Sequence, residues 1–124
     1  YVIVRKAGMK IGVIGLLTDI MKVVDKNIAM ELQYQEPADV VIPLASMLKD
    51  EKDCDMVICL SHLGYKEDKE LASQIKNVDV IVGGHSHTLL HKKQVVVDSE
   101  GEEVVVVQNW KWGLNVGHLT VKAE

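Results

Sequence analysis

The chain has 124 residues, of which 48% are apolar and 26% charged. This is the composition of one globular domain, and it excludes disordered and collagen-like proteins. With 14 basic against 18 acidic residues the net charge is -4, and no basic run is longer than Lys92-Lys93, so we expect no nucleic-acid polymer as a partner. The apolar runs are far shorter than the roughly 20 residues of a spanning helix, so we also expect no membrane span.

The first part of the chain predicts a β-hairpin. Tyr1–Val4 and Lys10–Leu17 are rich in strand-forming residues, and Ala7-Gly8 between them can form a short turn. Residues 18–36 follow neither the helical nor the strand period. We predict a loop there, with a short strand at Leu32–Tyr34.

A helix is predicted after Pro37, because apolar residues then recur at a spacing of three and four positions. They are Val41, Leu44, Ala45 and Leu48. Pro43 lies inside this pattern and lacks a backbone N–H, so we expect it to kink the helix or to delay its start toward Asp39.

Two apolar runs of strand length come next, and each ends in a loop that contains glycine and histidine. Met56–Leu60 is followed by Ser61-His62-Leu63-Gly64, and Val78–Val82 is followed by Gly83-Gly84-His85-Ser86-His87. Between them, Glu67–Lys76 has the pattern of a helix with acidic residues in its first turn. The order strand, helix, strand predicts a parallel α/β unit, whose functional groups commonly lie at the carboxyl ends of the strands.

The last part of the chain predicts three more strands, at Gln94–Asp98, Glu103–Asn109 and Asn115–Lys122. The first two are joined by a turn at Ser99-Glu100-Gly101. Cys54 and Cys59 are placed on one predicted strand, too far apart to bond and on opposite faces. We therefore predict two free thiols.

Three histidines are predicted to converge at one edge of the sheet. His62, His85 and His87 follow successive strands of the α/β unit, and in an extended loop residues i and i+2 point to the same side. Each histidine alone is more simply a hydrogen-bonded or exposed side chain. Together, at neighbouring strand ends, they favour a metal site.

The other polar and aromatic residues have simpler interpretations. We assign no role to His91 or His118. Asp68 is interpreted as a charge that complements the helix dipole, and Trp110 and Trp112 as core or sheet-edge aromatics.

The histidine loops also carry a resemblance to a known family. Val57–Ala72, with the sequence VICLSHLGYKEDKELA, and Val78–Thr88, with the sequence VDVIVGGHSHT, are similar to the 5'-nucleotidase branch of the calcineurin-like metallophosphoesterases. Lys10–Leu16 and Val107–Leu119 extend the similarity, and Gly113 and Gly117 match glycines of the family. The resemblance covers nearly the whole chain.

The resemblance implies an α/β fold that is half of a two-sheet α-β-β-α metallophosphoesterase domain, with a βαβ unit followed by antiparallel strands. Residues 1–124 would be a single partial domain, the carboxy-terminal half. One face of its sheet would then be uncovered, so we expect self-association or pairing with the missing amino-terminal half.

The resemblance further implies two divalent metal ions in the complete domain, with zinc or manganese expected. His62 and His85 would bind one ion and His87 the other. The family's Asp-x-His, Gly-Asp and Asn-His segments do not occur in this sequence. We therefore expect no catalytic residue in this chain and one metal ion or none in the chain alone, while the substrate-binding residues stay unknown.

Two functions from different classes follow. The first is metal-dependent hydrolysis of a nucleotide or another small phosphate ester, to which this chain contributes the histidine ligands. The second is a non-catalytic module that keeps the fold and at most one metal ion. The sequence itself leaves the compartment open, and the family resemblance implies a periplasmic, secreted or cell-surface protein.

Overall fold

The computed structural model describes residues 1–21 and 23–122, so that Lys22 in the predicted loop and the last two residues of the predicted domain lie outside it. Within these residues, six strands form one sheet in the order β1-β2-β3-β4-β6-β5. The strands are β1 Val2–Lys6, β2 Met9–Leu17, β3 Met56–His62, β4 Val80–Gly83, β5 Gln94–Val97 and β6 Glu103–Gln108.

The sheet has a parallel centre and antiparallel edges. β2 pairs with β3, β3 with β4 and β4 with β6, all in parallel. β1 pairs antiparallel with β2, and β5 pairs antiparallel with β6. The predicted mixed α/β fold, with its hairpin and its βαβ unit followed by an antiparallel pair, is therefore confirmed.

In the part of the chain that the structure describes, three α-helices accompany the sheet: α1 Lys26–Glu31, α2 Pro37–Ser46 and α3 Tyr65–Gln74. The predicted helix at Pro37 is confirmed, and its start is not delayed, because proline is well accommodated in the first turn of a helix. Pro43 lies inside α2, which continues to Ser46 and then passes into a π-helical turn at Met47–Glu51.

Two predictions about irregular segments are wrong. The segment 18–36 contains α1, capped by the Asp25 carboxylate, which accepts from Asn27 N at 2.8 Å, and it contains no strand at Leu32–Tyr34. Asn115–Lys122 likewise forms no strand. Before it, Trp110, Trp112 and Gly113 all have positive φ, which turns the backbone away from the extended path that a strand requires.

The hydrophobic core lies on one face of the sheet, beneath α2 and α3. Its fully buried side chains come from both layers and include Ile14, Val41, Leu48, Val57, Ile75, Ile81, Val104 and Val106. Both cysteines belong to this core, and both thiols are free, as predicted. The prediction that they share a strand is wrong, because Cys54 precedes β3.

The opposite face of the sheet is apolar and open. Strand side chains alternate between faces, so the register places Leu60, Leu17 and Val2 on the face away from the helices. Leu60 is 57% exposed although it lies on a central strand, and Leu17 is 53% exposed.

Among the residues that the structure describes, no helix has the length and apolar character needed to cross a membrane.

Candidate functional site

The candidate site lies at the carboxyl edge of the parallel strands. β3 ends at His62, and β4 ends at Gly83, two residues before His85. Because these strands are parallel neighbours, their ends reach the same edge of the sheet. β2 supports the first histidine, since Thr18 N donates to the carbonyl of His62 at 3.3 Å.

His62 and His85 are brought together. Their ring centres are 5.1 Å apart, and the ring planes meet at 67°. Gly84 makes this approach possible, because a side chain there would have its Cβ only 3.1 Å from His62 Nδ1. Two of the three predicted ligands are thus neighbours in the structure.

The second loop has a different backbone from the one expected. His85 and His87 have φ values of 71° and 52°, in the left-handed region that is uncommon for residues other than glycine. The prediction that the two side chains share a side because the loop is extended is therefore wrong. Such strained conformations persist only where the surroundings hold them, and they cluster at functional sites.

His87 lies apart from the other two histidines in its contacts. Its ring meets the Trp112 indole edge to face, with centres 6.0 Å apart. Trp112 is 77% exposed, so its interpretation as a core or sheet-edge aromatic is wrong. Within residues 1–21 and 23–122, no group of three or more His, Cys, Asp and Glu side chains is arranged to hold a metal ion. The assignment of His62, His85 and His87 as ligands stays a prediction.

A buried carboxyl supports the first histidine loop. Asp68, on α3, is fully buried, and the Ser61 hydroxyl donates to its Oδ1 at 2.5 Å. The Ser61 hydroxyl in turn accepts from Leu63 N at 3.2 Å, so Ser61 links Asp68 to the backbone on the far side of His62. The other oxygen, Asp68 Oδ2, is buried and has no hydrogen-bond partner among the described residues.

The sequence interpretation of Asp68, as a charge complementing the helix dipole, is incomplete. The residue does lie in the first turn of α3, but its carboxyl points into the protein. Burial raises its pKa, the Ser61 hydrogen bond lowers it, and the charge of Glu67 raises it. The helical spacing already contained a signal, because Asp68 lies three and four positions before the buried residues Leu71 and Ala72.

Gln108 supports the second histidine loop and was missed by the sequence analysis. Its side-chain amide donates to the Gly84 carbonyl at 3.1 Å, and its Oε1 accepts from Ser86 Oγ at 3.0 Å and from Thr88 N at 2.6 Å. Ser86 Oγ also accepts from Tyr65 N at 3.0 Å. These bonds connect the loop to β6 and to the start of α3.

Cys59, on β3, is not a candidate nucleophile. Burial, with a smaller contribution from the charge of Asp68, raises the pKa of its thiol to about 12. Only the thiolate is strongly nucleophilic, so this side chain acts as an apolar core residue.

No family model matches the chain, but individual proteins do. It is 30% identical over 121 residues to the trifunctional nucleotide phosphoesterase protein of Bacillus subtilis, covering 98% of this chain and 8% of that protein. It is 29% identical over 134 residues to the snake venom 5'-nucleotidase of Crotalus adamanteus, covering 98% of this chain and 22% of that protein.

A solved structure shares the fold as well. The 5'-nucleotidase precursor of Thermus thermophilus superposes with a TM-score of 0.83 and 36% sequence identity, covering 91% of this chain and 24% of that one. The chain thus spans less than a quarter of the length of each of these proteins. In sequence and in fold the chain is similar to the 5'-nucleotidases, as its motifs predicted, and it corresponds to one segment of them.

Proposed function

We propose that this chain provides the histidine ligands of a metal-dependent phosphoesterase site. The complete site would hydrolyse nucleotides, the activity for which its relatives are named. The observation that supports this most directly is the approach of His62 to His85, at the carboxyl edge of the sheet, with ring centres 5.1 Å apart. In open α/β sheets this edge is the usual place for a ligand.

The separation of the two histidine rings supports their binding to a single ion. Imidazoles that bind one tetrahedral ion at about 2.0–2.1 Å have their ring centres roughly 5 Å apart, and the rings of His62 and His85 have that separation. The donor chemistry suits zinc or manganese, since imidazole nitrogen binds zinc well and manganese accepts it beside oxygen ligands. When bound, such ions polarise a phosphoryl oxygen and activate the attacking water.

His87 is proposed as a ligand of a second ion. Its backbone strain and its place two residues after His85 support a functional role. Two ions about 3.5–4 Å apart require bridging carboxylates, and we propose that these come from the remaining half of the domain. The protein as a whole would then bind two ions, and this chain alone one or none.

The same half is our proposed partner for the open sheet face around Leu60. The chain spans 22% of one relative and 24% of another, so those proteins contain ample further chain to cover it. We propose a nucleotide or a similar small phosphate ester as substrate. A secreted, periplasmic or cell-surface location is proposed because one relative is a venom protein.

A non-catalytic module that binds one ion is the second candidate. Its support is the lack, within the described residues, of a cluster of three metal-binding side chains. The two candidates differ in what happens when the missing half is added.

The deciding experiment measures hydrolysis of a nucleoside monophosphate with zinc or manganese, first by this chain alone and then with its complement. We expect no turnover from the chain alone and turnover from the pair, with at most one ion bound per chain alone and that ion lost in the H62A/H85A double variant. The matched control is H91A/H118A. Turnover by the chain alone would contradict the proposal, and an inactive pair that still binds metal would favour the non-catalytic module.

A further inference from the structure

We infer that Asp68 is a positioning residue, which fixes the distance between the His62 and His85 imidazoles by joining the ends of the two strands that carry them. This inference rests on the proposed metal site, and it concerns a buried residue that touches neither histidine directly.

The first contact of Asp68 is with the end of β3. Its Oδ1 accepts from the hydroxyl of Ser61, the residue immediately before His62, at 2.5 Å. The same hydroxyl accepts from Leu63 N. The backbone on both sides of His62 is therefore tied to one buried carboxyl, and a hydrogen bond to such a group has a well-defined geometry.

The second contact is with the end of β4. A Cβ at Gly83 would overlap Asp68 Oδ2, and it would lie 3.2 Å from Gln108 Nε2. The glycine therefore lets this oxygen rest against the strand backbone two residues before His85. Gln108 continues the support, because its amide donates to the carbonyl of Gly84.

The carboxyl thus touches the ends of both strands, and α3, which carries it, begins directly after the His62 loop. A buried carboxyl with one unpartnered oxygen is costly. The cost is explained if the carboxyl holds two loops in register, since groups behind metal ligands typically change metal affinity about 10- to 100-fold when removed.

The test compares D68A and D68N with D98A. Asp98 is the matched control, because it is a buried carboxylate (8% exposed) that accepts from Glu100 N and Glu102 N in the β5–β6 turn. That turn precedes β6, whose other end carries Gln108, so it lies at the opposite edge of the sheet from the histidines. Loss of either carboxylate should lower the melting temperature.

Two measurements distinguish an effect on the position of the two imidazoles from an effect on the stability of the fold. The first is zinc affinity by calorimetry, corrected for the folded fraction, and the second is the NOE between the His62 and His85 ring protons in metal-free protein. D68A should lower zinc affinity about 10- to 100-fold and remove the NOE. D98A should retain both. D68N keeps an acceptor for Ser61 and should recover most of the affinity and the NOE.

If D68A does not fold, S61A replaces it, because this substitution removes the link to β3 without changing α3. S61A should give a weaker NOE and several-fold weaker zinc binding. Unchanged zinc binding and an unchanged NOE in D68A or S61A would overturn the inference, as would equal losses in D98A. If the unaltered protein binds zinc but hydrolyses no nucleotide, only the proposed function fails. If the unaltered protein binds no zinc, the NOE alone tests the inference about Asp68.

Discussion

At the scale of single residues, the site depends on side chains that are placed at a cost. His85 and His87 have left-handed backbones, each of which costs about 1–3 kcal/mol. Asp68 is buried without a partner for one oxygen among the described residues. Neighbouring residues hold both arrangements in place: Gln108 binds the histidine loop at Ser86 and Thr88, and Ser61 binds the carboxyl. These hydrogen bonds thus hold the strained residues at the strand ends in place.

The buried carboxyl of Asp68 should make stability depend on pH. Burial raises its pKa in the folded protein, so the folded state holds this proton more tightly than the unfolded state does. The stabilisation is complete below the ordinary aspartate pKa of about 3.9 and is lost as pH rises through the raised folded value. We expect the free energy of unfolding to fall over this window, by at most about 1.4 kcal/mol per pH unit.

Urea unfolding of the wild-type protein and of D68N over this pH range measures the effect. The D68N variant has no proton to lose at this position, so its stability should depend less steeply on pH than that of the wild-type protein. A wild-type slope in D68N would mean that another group causes the dependence.

At the scale of elements, the π-helical turn after α2 packs closely on β2 through Leu48. A Cβ at Gly12 would lie 2.8 Å from Leu48 Cδ1, and Leu48 is fully buried. A glycine in a strand normally weakens it. Here the absence of a side chain at Gly12 leaves space for Leu48, which fills the core between the sheet and the helical layer.

We expect the G12A and L48A substitutions to be non-additive. G12A should cost about 1–3 kcal/mol through overpacking, and L48A about 2–5 kcal/mol through the cavity. In the double variant the new methyl group partly fills that cavity, so the total cost should be smaller than the sum. Denaturant unfolding measures all three. G15A is the control on the same strand, since a Cβ there meets nothing within 4 Å, and additive costs would show that the two positions are independent.

The helices and central strands that the sequence predicted have a buried face, while the edge strands β1 and β5 have no buried residue and were predicted from their strand-forming residues. α2, α3, β3 and β4 all carry core residues, and burial is what produces a regular apolar pattern. α1 was missed because it has no buried residue, so it leaves no pattern. Asn115–Lys122 was wrongly predicted as a strand, because its composition does not reveal the left-handed residues Trp110 and Trp112 that precede it.

At the scale of the whole molecule, chain topology explains which parts of the site were predictable. His62 and His85 meet because they follow neighbouring parallel strands, a relation that the strand–helix–strand order already implied. The position of His87 depends on the handedness of a short loop, and that of Gln108 on the pairing of β6 with β4. Neither is encoded in periodicity.

The open face of the sheet also belongs to this scale. Leu60, on the central strand β3, and Leu17 beside it are more than half exposed, on the face opposite the helices. His62 lies on the same face, two residues after Leu60. Whatever covers the apolar face therefore also adjoins the candidate site, which is why we propose that the missing half of the domain supplies both the cover and the remaining ligands.

The open face should make the 124-residue chain self-associate when it is produced alone. Contiguous exposed apolar patches are limited in size on soluble monomers, and large ones often mark the binding site of a partner. We expect sedimentation velocity to show concentration-dependent association of the chain, and L60E to restore a monomer, because a charge in the middle of the patch cannot be buried without a partner. L114E is the matched control, since Leu114 is equally exposed at 57% but lies outside the strands, and this variant should still associate.

Adding the complementary half should replace self-association by a one-to-one pair in the unaltered chain but not in L60E. A wild-type chain that sediments as a monomer at high concentration would show that the face needs no cover, and the proposed partner would then lose its main physical support.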